Sequence, residues 1–270
     1  MLSKAQIASF QHDIFCWWAK NKRDLPWRRT HDPYAILVSE VMLQQTQVSR
    51  VLPKYKEFLF LFPDIFVLAN ASVSQILRAW KGMGYNRRAL YLKQLAEKIV
   101  QQYHGIFPKQ EKELINLPGL GKYTARAILV FAFKQDVVLV DTNIRQILVH
   151  HFFSGIAQKE SVLEEVANQL LPTGRSWEWH QALMDYGALQ LPKSRNRNVL
   201  RNERFEDSNR FFRGRVIDYL REKSWNENIL AKEMMKVYGK DEEFHRKIIL
   251  GLSKEGLLER EENGIIRLPE

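Results

Sequence analysis

The chain of 270 residues contains a single cysteine, Cys16. One thiol excludes an intramolecular disulfide, an all-cysteine zinc site and any cluster that needs four thiolates from this chain, and it fits a reducing compartment. Long apolar runs are also missing. Stretches such as 58–62 and 127–133 fall far short of the ~18 residues that would span a bilayer, so no membrane crossing is expected. Near the amino terminus Lys4, His12 and Asp13 leave no room for an apolar core, which argues against a secretory signal and for a cytoplasmic location. No internal repeat or low-complexity segment stands out.

What is present suits a folded protein of about two domains, with 45% apolar and 11% aromatic residues. Lys and Arg number 41 against 31 Asp and Glu, a net charge of +10. Such a field attracts polyanions, which makes nucleic acid the first partner to consider; the alternative is a basic soluble protein with a solvated surface.

The first 190 or so residues read as short helices separated by Pro, Gly and Asn, with apolar residues three and four apart. Ile76 to Trp80 follow a Ser72/Gln75 capping-box pattern, Leu90 to Tyr103 form another stripe, and Ala125, Ile128, Leu129 and Ala132 a further one. The β-branched run Val137 to Val140 is the one strand candidate. It is too isolated for a sheet and is expected to be a buried extended link between helices. A mainly α fold with a domain over 1–191 follows.

Residues 192–210 form a basic connector rich in arginine. Beyond it, 211–270 holds helical patterns at roughly 211–223, 228–238 and 242–255. A hairpin pattern follows over 257–268, where Asn263-Gly264 favours a type I′ turn. Three helices and a hairpin make a winged-helix pattern, a small α+β domain; the alternative is a bundle that only stabilises the rest.

The segment Leu117-Pro118-Gly119-Leu120-Gly121-Lys122-Tyr123-Thr124-Ala125 joins a polar helix to an apolar one. Two glycines allow a tight turn with exposed N–H groups, and the following helix aims its positive end at the same point, so an anion such as a DNA phosphate can be held there. A plain helical connection is the alternative. With Val140-Asp141-Thr142-Asn143 behind it, this segment resembles the helix-hairpin-helix DNA glycosylase superfamily. Leu25-Pro26-Trp27-Arg28, the run Ser39-Glu40-Val41-Met42-Leu43-Gln44-Gln45-Thr46-Gln47-Val48 and Trp80-Lys81-Gly82-Met83-Gly84-Tyr85 are similar to its adenine glycosylase branch, the MutY type. The likeness covers roughly 15–190 and implies the helix-hairpin-helix glycosylase fold of two helical lobes.

Breaking the bond between a purine and deoxyribose calls for a proton donor to the base and a fixed anion beside the cationic sugar. The resemblance puts Glu40 and Asp141 in those positions. Glu40 lies among Val38, Val41, Met42 and Leu43, surroundings that raise a carboxyl pKa and keep it protonated near neutrality. Asp141 is expected ionised near the sugar, with Asn143 holding it. The alternatives are a solvated helical acid for Glu40 and an ordinary N-cap for Asp141. Tyr123 stands where related lyases carry a lysine; a phenol forms no imine, so an enzyme without lyase activity is expected. Leu117, Gly119, Gly121, Lys122 and Thr124 are the expected DNA-binding residues of the hairpin. By resemblance Gln45 fills the gap left by an extruded base, and Trp27, Arg28 and Leu43 line the base pocket.

Two departures stand out. Adenine glycosylases carry four cysteines that hold an iron–sulfur cluster; the matching positions here are Leu191, Asn198, Arg201 and Asp207, so no cluster and no other cofactor are expected, with a monovalent cation at the hairpin left open. In place of the carboxy-terminal domain with which such enzymes recognise 8-oxoguanine, the winged-helix pattern is expected. The expected protein is a monomeric, monofunctional, nucleoid-associated glycosylase acting on double-stranded DNA with a mismatch or lesion, removing adenine opposite guanine or 8-oxoguanine. Removal of thymine or uracil opposite guanine, and a non-catalytic DNA-binding regulator, are the alternatives.

Overall fold

A computed structural model describes residues 1–191 and 204–270; residues 192–203 of the connector lie outside the described residues. The α-helices run α1 Lys4–Asn21, α2 Pro33–Leu43, α3 Val48–Leu61, α4 Ile65–Asn70, α5 Val73–Ala79, α6 Arg87–Tyr103, α7 Glu111–Ile115, α8 Lys122–Phe131, α9 Thr142–Phe152, α10 Glu160–Leu170, α11 Ser176–Leu189, α12 Asn209–Glu222, α13 Glu227–Tyr238 and α14 Glu242–Lys254. The fold is mainly helical, as the apolar spacing implies. It divides into two compact units, one made of 1–40 with 107–191, the other of 41–106 with 204–270.

In the first unit α11 packs on α1, α8 and α9, while α10 packs on α1 and α9. Ile14, Leu37, Ile128, Ile144, Leu163 and Trp179 are buried there. The amino-terminal segment is tied to α11 by one carboxylate, Asp185, which is fully buried. It accepts from the Trp18 indole at 3.0 Å, from the Arg23 backbone and Nε, and from both terminal nitrogens of Arg28 at 2.7 and 2.8 Å. A buried charge with this many donors is fully compensated.

The link 137–141 is extended and unpaired with any strand, as expected. Its backbone groups are satisfied by side chains instead: Leu139 N–H donates to His180 Nε2 at 2.9 Å, and the Val138 carbonyl accepts from Arg126 at 3.3 Å. His180 Nδ1 donates to the Ser176 carbonyl at 2.7 Å. Burial lowers the His180 pKa to about 4, so the ring is neutral and its tautomer is fixed by the two partners.

In the second unit α4 and α5 pack on α6, with Phe58, Leu68, Trp80 and Ile99 inside. The capping box read at Ser72 and Gln75 is formed. The carboxy-terminal part holds α12 to α14 and a three-stranded sheet of order β1-β3-β2: β1 Trp225–Asn226, β2 Glu259–Arg260 and β3 Ile265–Arg267. Two details differ from the sequence reading. The two residues of β1 pair with β3, Trp225 opposite Ile266, which a hairpin reading alone does not include. The turn is not type I′, because Gly264 has φ 78° while Asn263 is not at positive φ. Glu261 N–H meets the Ile265 carbonyl and Gly264 N–H the Glu261 carbonyl. This is a three-residue loop, in which a type I turn is closed by one left-handed glycine.

Candidate active site

Helix α2 begins at Pro33 behind Asp32, whose carboxylate accepts from Tyr34 N–H at 3.0 Å and Ala35 N–H at 3.3 Å. Nearly all of α2 is apolar and buried, so Glu40 enters dry surroundings and is 8% exposed. Burial first, and then the charge of Asp141, push its carboxyl up to about 7; the hydrogen bond from the Tyr123 hydroxyl opposes both. Near neutrality a large fraction of Glu40 is therefore protonated.

Tyr123 is the second residue of α8. Burial, followed by the neighbouring charges of Glu40 and Asp141, holds its phenol well above the usual range. It stays neutral and can donate to Glu40.

Asp141 is the N-cap of α9. Its Oδ1 accepts from Ile144 N–H at 2.7 Å and its Oδ2 from Asn143 Nδ2 at 3.2 Å. Capping and a chemical role coincide here, because the helix end that needs an acceptor also favours a negative charge. Burial holds the Asp141 pKa above the usual aspartate range, and the bonds from Ile144 and Asn143 oppose it without cancelling it. Asn143 is itself placed by close packing. A Cβ at Gly187 on α11 would lie 2.7 Å from Asn143 Cβ and 3.2 Å from its carbonyl oxygen, so only glycine lets the two helices approach this closely.

The hairpin residues divide in two. Gly119 sits at φ 72°, and Gly121 is the N-cap of α8 with no side-chain cap. Gly119, Gly121 and Lys122 are exposed. Leu117 and Thr124 have buried side chains, 2% and 4% exposed, so what they offer a phosphate is backbone. Lys122 is paired with Glu164 at 2.7 and 2.9 Å, and Arg126 joins Glu164 to Glu111.

Glu40, Tyr123, Asp141 and Asn143 thus come together in the first unit. Trp27 is buried in the same unit, and the expectation of a base-contacting Arg28 meets a different arrangement: its guanidinium is committed to Asp185. Leu43 and Gln45 belong to the second unit. Gln45 is exposed at φ 53°, and the carbonyls before it are held by Arg88. That guanidinium donates to Val41 O at 2.8 Å, Met42 O at 3.1 Å and Gln44 O at 2.6 Å.

Asp185, His180, Gly187 and Arg88 are absent from the sequence-derived set. Gly187 carried a signal, since glycine inside a helix is costly without a packing reason. The other three depend on partners too distant in the chain to be read.

Cys16 is the one thiol in the chain, so an iron–sulfur cluster of the kind that four cysteines hold does not fit. Among the described residues no group of three or more His, Cys, Asp and Glu is placed to hold a metal, and no helix is long and apolar enough to cross a membrane.

A glycine hairpin opening α8, an extended link to a capping aspartate and a dry glutamate on α2 define a helix-hairpin-helix protein with a two-carboxylate site. The chain belongs to the HhH-GPD superfamily of base excision DNA repair proteins, whose family model matches residues 38–173. It is 38% identical over 188 residues to an adenine DNA glycosylase of Buchnera aphidicola subsp. Baizongia pistaciae (strain Bp), covering 68% of this chain and 54% of that protein. It is 32% identical over 184 residues to a thymine/uracil-DNA glycosylase of Methanothermobacter thermautotrophicus, covering 67% and 83%. The solved structure of a thermostable thymine-DNA glycosylase superposes with a TM-score of 0.66 at 30% identity, over 70% of this chain and 90% of that one. The chain thus spans about half the length of the Buchnera adenine glycosylase it matches.

Proposed function

We propose that the protein is a DNA glycosylase of base excision repair that hydrolyses the N-glycosidic bond of adenine mispaired with guanine or 8-oxoguanine, without lyase activity. The observation that carries this reading is the pair of carboxyls in the first unit, Glu40 raised to about 7 and Asp141 held at the α9 N-terminus. Glu40 protonates the departing base. Asp141, anionic among the Ile144 and Asn143 donors, stabilises positive charge on the sugar until water adds. Tyr123 contributes no amine, so no imine with the sugar forms and the strand is left with an abasic site. The hairpin holds a phosphate of double-stranded DNA through backbone N–H groups. The enzyme acts as a cytoplasmic, nucleoid-associated monomer, and the reaction needs no bound cofactor.

The matches to adenine glycosylases and the run 43–46, Leu-Gln-Gln-Thr, favour adenine. A second reading, removal of thymine or uracil opposite guanine, is favoured by the thymine/uracil glycosylase that this chain covers over 83% of its length. Single-turnover excision on A:8-oxoguanine, A:G, T:G and U:G duplexes separates the two. Release of adenine by the wild type and not by Asp141→Asn is expected. Release from T:G or U:G alone moves the enzyme to the second reading, and binding without release from any duplex would leave a regulator.

A further inference from the structure

The carboxy-terminal part of the second unit has the topology of a DNA-reading winged helix but not the charge. Residues 204–270 contain fourteen Lys and Arg against fourteen Asp and Glu, so the whole net charge of +10 resides in 1–203. On the surfaces such modules turn to DNA, several cations are already paired. On α14, Arg246 meets Glu242 and Lys247 meets Glu243; on the hairpin, Arg267 meets Glu259 and Glu261. A module with no net charge, half of whose cations are ion-paired, gains less from phosphate neutralisation than the basic remainder of the chain.

Its side chains reach the helical lobe instead. Arg221 on α12 is 5% exposed. It donates from Nε to the Leu77 carbonyl at 2.9 Å and from a terminal nitrogen to Asn86 Oδ1 at 3.2 Å. Arg78 returns a hydrogen bond to the Arg221 carbonyl, and Ser74 N–H donates to the Pro269 carbonyl at 2.7 Å. Arg210 stacks on Tyr85, 4.7 Å from the ring centroid, and donates to its hydroxyl.

The segment held in this way is unusual in its backbone. Gly82, Gly84 and Tyr85 all have positive φ, 86°, 66° and 48°, and for Tyr85 that conformation is disfavoured by its Cβ. It persists because its surroundings fix it. From this loop Arg88 takes the Met83 and Gly84 carbonyls at 3.1 and 3.2 Å, and with the same guanidinium it holds the Val41, Met42 and Gln44 carbonyls. The next residue is Gln45, itself left-handed and exposed.

We infer that the carboxy-terminal module is an intramolecular brace and not a second DNA-binding surface: Arg210 and Arg221 fix the 82–86 loop, and through Arg88 that loop fixes the turn presenting Gln45. Arg210 and Arg221 are positioning residues. The part played by Gln45 in base extrusion rests on the proposed glycosylase reading; the brace itself does not.

The test uses the full chain with Arg210→Ala, at an exposed position, and Arg221→Lys, which keeps a buried cation. Hydrogen exchange of the amides in 44–46 and 82–86 is compared with wild type. In the same variants, extrusion is followed by 2-aminopurine fluorescence beside the target adenine of an A:8-oxoguanine duplex. Exchange about tenfold faster in both segments, with α8 and α9 unchanged and the extrusion signal reduced, is expected. Unchanged exchange at 44–46 in both folded variants overturns the brace. So does a tenfold loss of affinity for undamaged duplex in Arg246→Gln/Lys247→Gln, which would make the module a DNA-binding surface. If the wild type releases no base from any duplex the glycosylase reading fails, and the exchange result still decides the brace.

Discussion

Two buried carboxylates in the same unit have opposite characters. Asp185 is surrounded by the Trp18 indole and the Arg23 and Arg28 guanidiniums; burial raises its pKa, but these partners outweigh burial and hold it below the usual range. Glu40 has a phenol and another acid as neighbours, and burial with the Asp141 charge takes it to about 7. Burial alone therefore does not decide what a carboxyl does. Partners make Asp185 a fixed structural anion, and their scarcity leaves Glu40 able to give up a proton near neutral pH.

The largest effect should come from the poorly matched side of this comparison. Asp141→Asn and Glu40→Gln should each slow single-turnover excision by about a thousandfold while duplex binding, measured by fluorescence anisotropy, persists. In the wild type the rate should decline above about pH 7 as Glu40 ionises. A profile flat to pH 9 would remove Glu40 as the proton donor.

Asp185→Asn should cost about 3–5 kcal/mol in denaturant unfolding, because Arg28 is left buried beside a neutral partner. The two acids should also give opposite pH slopes. The stability that Asp185 contributes is present above the ordinary aspartate range and is lost as pH falls through its lowered pKa. Glu40 has a raised pKa, so its contribution is fully present below about pH 4.5 and is lost as pH rises through about 7. Glu40→Gln should accordingly stabilise the protein at pH 8, by at most about 3 kcal/mol, and have no such effect at pH 4.5. Equal stabilisation at both values would contradict the linkage.

Gly187→Ala forces a Cβ against Asn143. It should cost about 1–3 kcal/mol and, by moving the group that holds Asp141, reduce excision by about tenfold with little change in duplex affinity. The smallest effect is expected at Lys122, already paired with Glu164. Lys122→Gln should lower the slope of log affinity against log salt by no more than about one.

The local features of the site were legible in the sequence, while the roles of Glu40 and Asp141 came from the resemblance. The glycines of the hairpin, the apolar surroundings of Glu40 on its own helix and the capping position of Asp141 all depend on residues within a few positions. Arg28 shows where that reading stops. The resemblance put it at the base pocket, and its carboxylate partner is 157 residues away in the chain. His180 likewise reaches back 41 residues to Leu139. In the carboxy-terminal module the helices follow from apolar spacing and the hairpin from its Asn263-Gly264 turn, while β1 is too short to have a pattern and shows itself only by pairing with β3.

The most direct test of the account is the titration of Glu40 itself, followed by 13C NMR of the side-chain carboxyl in wild type and in Asp141→Asn. A midpoint near 7 in the wild type, moving downward once the charge at 141 is removed, is the result the account predicts. A midpoint in the ordinary glutamate range, indifferent to the substitution, would contradict it.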